Sequence, residues 1–337
     1  MTAAWLVRAA IGLLPVLCFL AALVALDSYK LVRLRTVLAV LAAGAVVAGL
    51  CYLLNSFAID ATGLRFTDYA AFVAPVVEES LKAAVIVVLI RIRHIGFLVD
   101  ASVLGFAVGA GFATVENVYY LNSHNDPHLA TWIVRGFGTA ILHGGVQAIF
   151  AALVLTEVDR RGKLGALTVL PPLVLAVLVH AAFNRFALPP IYQTLLVLVS
   201  IPPLLYWVFM SSEQALRGWV GKGFDADQEL LGLLGTEAFS QSPAGKYLYE
   251  LRARFPGEVV ADLLCYLQLY VELALRAKGM LMLRENGIEP VIDEETRAKL
   301  DEMRFLERNV GRAALRTLQP LMHMSRHDLW QLYMLGK

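Results

Sequence analysis

The chain has 337 residues, 58% of them hydrophobic and only 17% charged, with a net charge of +1 and a mean hydropathy of +0.63. Values this apolar exclude an ordinary soluble domain, and the balanced charge excludes the bulk basicity of a nucleic-acid binder. The three cysteines, Cys18, Cys51 and Cys265, form neither a disulfide framework nor a CxxC metal motif.

A span of a ~30 Å hydrocarbon core needs about 20 apolar residues. Seven runs meet this in order: Trp5–Leu26, Val37–Phe57, Tyr69–Ile90, Ile95–Leu121, Thr131–Leu155, Leu164–Phe186 and Ile191–Met210. The first is longer than a signal-peptide core and lacks a clean small-residue cleavage site, so it reads as a retained helix. The fourth carries Gly105 and Gly109 at helical spacing, which suits close helix approach at the centre of a bundle. Alternate connections carry Lys30, Arg33 and Arg35, then Arg91 and Arg93, then Arg160, Arg161 and Lys163. The other side holds Arg8, Arg65 and Arg185, so the basic bias predicts an outer N-terminus and a cytoplasmic C-terminus in a multi-pass cell-membrane protein.

Composition changes after Met210. Residues 211–337 hold 16 of the 29 Lys and Arg and 18 of the 28 Asp and Glu, with apolar residues at helical spacing. The expected fold class is therefore all-α: a polytopic membrane helix bundle of about seven transmembrane helices over residues 1–210, then a soluble helical cytoplasmic domain over 211–337. No catalytic motif is visible in the second part, which is free to bind a protein partner. His323 and His327 lack a HExxH context and read as a surface pair.

Ionisable residues inside a span are costly and mark function. They are Glu78, Glu79 and Lys82 in the third run, Asp100 and Glu116 in the fourth, Arg135 and His143 in the fifth, and His180 with Asn184 in the sixth. Glu78 and Lys82 are four apart, share a helix face and are expected to pair, while Glu79 lies about 100° round. At ~1.5 Å per residue, Glu78, Glu116, His143 and His180 fall in the outer half or middle of the bilayer, and Asp100 falls nearer the cytoplasm. Arg135 is near enough to the outer surface to snorkel. Three chemistries fit this inventory. A glutamate, aided by histidines and Asn184, can activate water against a peptide bond. Glu79, Glu116, His143 and His180 also make a zinc-type donor set. A proton-coupled carrier, or a scaffold without catalysis, uses similar buried groups.

The residues "VEESLK" (77–82) resemble the EExxK motif of the PrsW family of intramembrane proteases. "VDASVLGFAVGAGFATVENVYY", "RGFGTAILHGGVQAIF" and "LVHAAFN" are similar to its later motifs, in the same order over residues 74–184. The distantly related CAAX prenyl endopeptidases and bacteriocin-processing proteins show EExxxR and FxxxH, whereas here Lys82 comes one residue sooner and Glu116 follows Phe112. The resemblance implies an intramembrane endopeptidase with catalytic Glu78, Glu79, Glu116, His143 and His180. Asn117, Asn184, Lys82, Asp100 and Arg135 support them, and the water is activated by glutamate without a firm metal or other cofactor. It further implies a membrane-anchored protein substrate, such as an anti-sigma factor cut on the extracytoplasmic side to start a stress response. Which glutamate acts as the base is left open.

Overall fold

The computed structural model describes residues 3–123, 126, 128–318 and 321–322. His323 and His327 lie outside the described residues. The described chain is built from helices, with no strand among these residues. It divides into two compact units, Met1–Glu213 and Gln214–Lys337.

The first unit contains α1 (Ala3–Leu26), α2 (Leu34–Thr62), α3 (Ala74–Arg91), α4 (Leu98–Ser123), α5 (Ala140–Arg161), α6 (Ala166–Asn184) and the start of α7 (Pro190–Leu234). Every apolar run expected to span is helical here. Six helical segments are long and apolar enough to cross a membrane: α1, α2, α4, Leu129–Arg161 (which ends in α5), α6 and α7. The exception is α3, which within 18 residues carries Glu78, Glu79, Lys82 and Arg91. The site's own charges depress its hydropathy, yet it packs within the bundle against α2, α5 and α6. The chain is a multi-pass membrane protein.

Burial follows the small residues. Helix α4 is buried almost continuously from Val99 to Ala113. A side chain at Gly109 would collide with the backbone carbonyl of His143, and one at Gly111 with that of Leu41. Hydrogen at these two positions lets α5 and α2 touch α4 backbone to backbone, the packing that lipid-embedded helices favour. Because His143 itself lies at the Gly109 contact, this central packing fixes the position of a polar residue. α2 and α5 end on Gly63 and Gly162, whose left-handed φ of 63° and 68° suits the helix C-terminus.

Two π-helical stretches interrupt the regular spacing, Tyr69–Val73 just before α3 and Val134–Thr139 just before α5. Such insertions shift the helical register and recur at functional sites. Here each lies about a turn before a buried polar residue, Glu78 in one case and His143 in the other.

The second unit contains the remainder of α7, then α8 (Pro243–Glu250), α9 (Gly257–Glu285) and α10 (Glu294–Thr317). Helix α7 does not end at the compositional change after Met210. Nothing in "MSSEQALRG" breaks a helix, so it continues unbroken through the polar transition. The second unit's core joins Leu263, Leu267, Tyr270 and Leu273 to Leu300, Met303, Ala314 and Leu318. Asp293 caps α10 by accepting from the Thr296 amide at 2.8 Å, and Ser242 caps α8 by accepting from Gly245 at 3.0 Å.

Candidate active site

The polar residues of α3, α4, α5 and α6 converge on one cluster inside the first unit. At its base lies Glu79, fully buried. Its Oε1 accepts from Lys82 Nζ at 2.5 Å and from His180 Nδ1 at 2.7 Å, and its Oε2 accepts from Gln147 Nε2 at 2.5 Å. Lys82, also fully buried, therefore pairs with Glu79 and not with Glu78 as expected. On a helix, positions three and four before a lysine are both within its reach. The structure selects the nearer one because His180 and Gln147 approach on that side, which satisfies the remaining lone pairs of a buried carboxylate.

Lys82 Nζ also lies 3.1 Å from His143 Nδ1 and 4.4 Å from the centre of the Phe112 ring. The ammonium has no lone pair, so it donates to Nδ1, which leaves the ring proton of neutral His143 on Nε2. That nitrogen faces Glu116 Oε2 at 3.2 Å. His180 is set the opposite way: its Nδ1–H donates to Glu79, and its Nε2 lone pair points toward Glu78, whose Oε2 is 3.9 Å away. The two imidazoles meet edge to face, 4.8 Å between centroids at 89°. One carboxylate and one ammonium, a turn apart on α3, thus give the two histidines opposite tautomers.

Glu78 faces the cavity side of the cluster. Asn55 Nδ2 donates to its Oε1 at 3.3 Å, and Tyr69 Oη donates to Asn55 Oδ1 at 2.9 Å. Glu116, a quarter exposed, is the most accessible of the three carboxylates and pairs with Arg135 at 3.4 Å. Arg135 does not snorkel. It points inward, donating from Nε to Asn117 Oδ1 at 2.9 Å and stacking on Tyr120 at 3.6 Å. An inward carboxylate and an aromatic face offset its burial better than lipid would. Asn117 in turn donates to the Gly12 carbonyl at 2.7 Å, tying α1 to the site helix. Asn184 is 3.2 Å from His180 Nε2 and donates to the Ala70 carbonyl at 3.0 Å, so it links α6 to the π stretch.

Asp100 is not part of this cluster. It sits at the first turn of α4, sixteen residues from Glu116, or about 24 Å along the helix. There it accepts backbone N–H groups from Gly96, Phe97 and Ala101 at 2.7–2.9 Å and clamps the α3–α4 connection. Asn55, Tyr69 and Gln147 belong to the cluster but escaped sequence reasoning. Gln147 did leave a signal: it lies four residues after His143 and so shares its helix face. Asn55 and Tyr69 are single polar residues in apolar runs, which by themselves point nowhere.

Glu78, His143 and His180 each offer a donor atom within 4.8 Å of the others, a separation suited to one metal ion. This trio differs from the expected set of Glu79, Glu116, His143 and His180, because Glu79 is fully engaged by three donors of its own. Fully ionised, Glu78, Glu79 and Glu116 face Lys82 and Arg135, which leaves the cluster with a surplus negative charge when both histidines are neutral. A carboxylate and two imidazoles around such a surplus fit a divalent cation of the zinc class.

Residues 32–211 match the PrsW family intramembrane metalloproteases, a match that runs over α2 to α6 and into α7. No curated protein and no solved structure matches the chain. The matched region contains the whole polar cluster from Asn55 to Asn184 and amounts to more than half of the chain, which therefore belongs to the PrsW family of membrane-embedded proteases.

Proposed function

We propose that this intramembrane protease cuts a membrane-anchored protein near the extracytoplasmic face, at the cluster of Glu78, Glu116, His143 and His180. The convergence of Glu78, His143 and His180 within 4.8 Å inside a helix bundle carries this reading. The basic-residue bias of the connections supports an outer N-terminus, a cytoplasmic second unit and an outward-facing site. A membrane-anchored anti-sigma factor is the kind of substrate the family resemblance suggests.

Glu78, His143 and His180 would hold a zinc-class cation. When bound, it acidifies a water molecule and polarises the scissile carbonyl. The chain's own groups do the rest. Glu79 keeps the His180 proton on Nδ1, so that Nε2 is presented to the site, in the manner of a carboxylate that orients a ligating histidine. Glu116, accessible and anchored by Arg135, takes the proton of the attacking water and returns it to the leaving amine. The buried walls of α4 and α5 exclude bulk water from the reacting groups.

A metal-free reading rests on the Lys82–His143 contact, which leaves a proton on His143 Nε2. In that case Glu78 is the base and the His143 N–H stabilises the oxyanion. Cleavage of a co-expressed membrane-anchored reporter, combined with elemental analysis, separates the two. Stoichiometric zinc that disappears in Glu78→Gln and His180→Ala supports the metalloenzyme. Active protein without metal supports the glutamate base, and retained cleavage in both variants sinks the assignment of the site.

A further inference from the structure

A cleft of about 580 Å³ lies between α5, α6 and α7 within the first unit, and none of the side chains of the proposed active site lines it. Leu142 and Val146 form one wall, Ala176 and Phe183 a second, and Val197 and Ile201 a third. Its rims at Leu175, Leu196 and Leu204 are exposed, so in a membrane the cleft opens sideways to lipid.

Two polar side chains line it. Ser200 is satisfied, since its hydroxyl donates to the Leu196 carbonyl at 2.6 Å. Gln193 is not: the residue is 94% buried, and its Oε1 has no hydrogen-bond partner among the described residues. A buried amide oxygen in an apolar setting demands a donor. Gln193 lies in the first turn of α7, and Leu204 is roughly 16 Å further along the helix. The cleft is therefore polar at one end, near a helix terminus, and hydrocarbon-like toward the bilayer interior.

Size and polarity select the occupant. Spread over that length, 580 Å³ is too narrow for a second helix, which with its side chains is about 10–12 Å across. An extended peptide is thin enough but would bring an N–H and a C=O every ~3.3 Å into walls that offer one open acceptor. A single hydrocarbon chain requires no partners along its length. We infer that this cleft is a lipid site, which takes one acyl chain of a phospholipid whose polar end donates a hydrogen bond to Gln193 Oε1. An ethanolamine ammonium or a glycerol hydroxyl supplies that donor, and a choline headgroup does not. This inference stands independently of the active-site chemistry.

The test is native mass spectrometry of the full-length, delipidated protein titrated with phosphatidylethanolamine, phosphatidylglycerol or phosphatidylcholine. The expected result is one tightly held lipid per chain, with a preference of about tenfold for the two donor headgroups, the worth of one hydrogen bond. Gln193→Leu keeps the shape of the cleft and is expected to abolish the preference. Ala176→Phe fills the cleft and is expected to abolish the tight lipid whatever its headgroup, with circular dichroism confirming that the variant is folded. Equal retention of all three lipids by the wild type, or unchanged retention in folded Ala176→Phe, overturns the inference. So does an Ala176→Phe protein that keeps its lipid but no longer cleaves the reporter, which would assign the cleft to substrate.

Discussion

Glu79 and His180, 101 residues apart in sequence, are joined by a 2.7 Å hydrogen bond from the imidazole Nδ1 to a carboxylate with no solvent exposure. This bond decides how His180 faces the reaction space, because the second ring nitrogen is left with its lone pair toward Glu78. Glu79 thus acts through His180, whereas Glu78 is placed to meet a ligand directly.

Exchange of the two glutamates should accordingly have different signatures. Glu78→Gln is expected to abolish reporter cleavage and metal retention together. Glu79→Gln still accepts the His180 proton through its amide oxygen, but it loses the charge that strengthens the bond. Metal affinity and cleavage are expected to fall by roughly 10–100-fold, the usual effect of altering such an outer partner. Metal titration against cleavage rate checks this, and equal loss in both variants would show that Glu79 itself is a ligand.

Lys82→Met removes the only ammonium facing a buried carboxylate. Breaking a buried pair from one side costs on the order of 3–5 kcal/mol, so a large loss of thermal stability in detergent is expected. Lys82→Met combined with Glu79→Gln removes both charges and is expected to recover most of that loss. Without recovery, the destabilisation arises from the space left beside Phe112 rather than from charge.

Gly109→Ala drives a methyl group into the backbone of α5 at the His143 carbonyl. Overpacking of this kind costs about 1–3 kcal/mol. Because the displaced segment carries His143, cleavage is expected to fall more steeply than stability. Gly49→Ala, which meets open space, is the matched control and should be silent in both assays.

Asp100 offers the opposite contrast. Its carboxylate holds three backbone N–H groups at the start of α4, about 24 Å from Glu116. Asp100→Ala is expected to lower thermal stability by on the order of 1–3 kcal/mol while the folded fraction keeps its cleavage rate. A fully folded variant with no activity would return Asp100 to the reaction.

The cap of α10 gives a pH dependence. The Thr296 hydroxyl and amide, aided by Arg276, hold the Asp293 carboxyl below the usual carboxylate range. A carboxyl with a lowered folded-state value stabilises above its unfolded value of ~3.9, and loses that contribution as pH falls through the folded value. Hydrogen-exchange protection of the first turn of α10 should be weaker in Asp293→Ala than in wild type near neutral pH. The two should converge as the pH is lowered below ~4.

Much of this protein was legible from its residues. Runs of about 20 apolar side chains dictate helices, since in lipid only a helix or a closed barrel satisfies the backbone. Glu78, Glu79 and Lys82 stood out because charge is costly there, and the order of four motifs named the family. What could not be read was partnership. Lys82 lies within helical reach of both glutamates, so its choice of Glu79 depends on His180 and Gln147 arriving from two other helices. Arg135 near a span end is equally able to snorkel, and only the position of Glu116 and Tyr120 turns it inward. Local sequence determines period, hydropathy and which residues share a face, all of which extend over a few turns. The tertiary structure decides which faces meet, because the partners that satisfy a buried charge come from helices a hundred residues apart, and their approach is set by glycines on α4 that are not themselves part of the site.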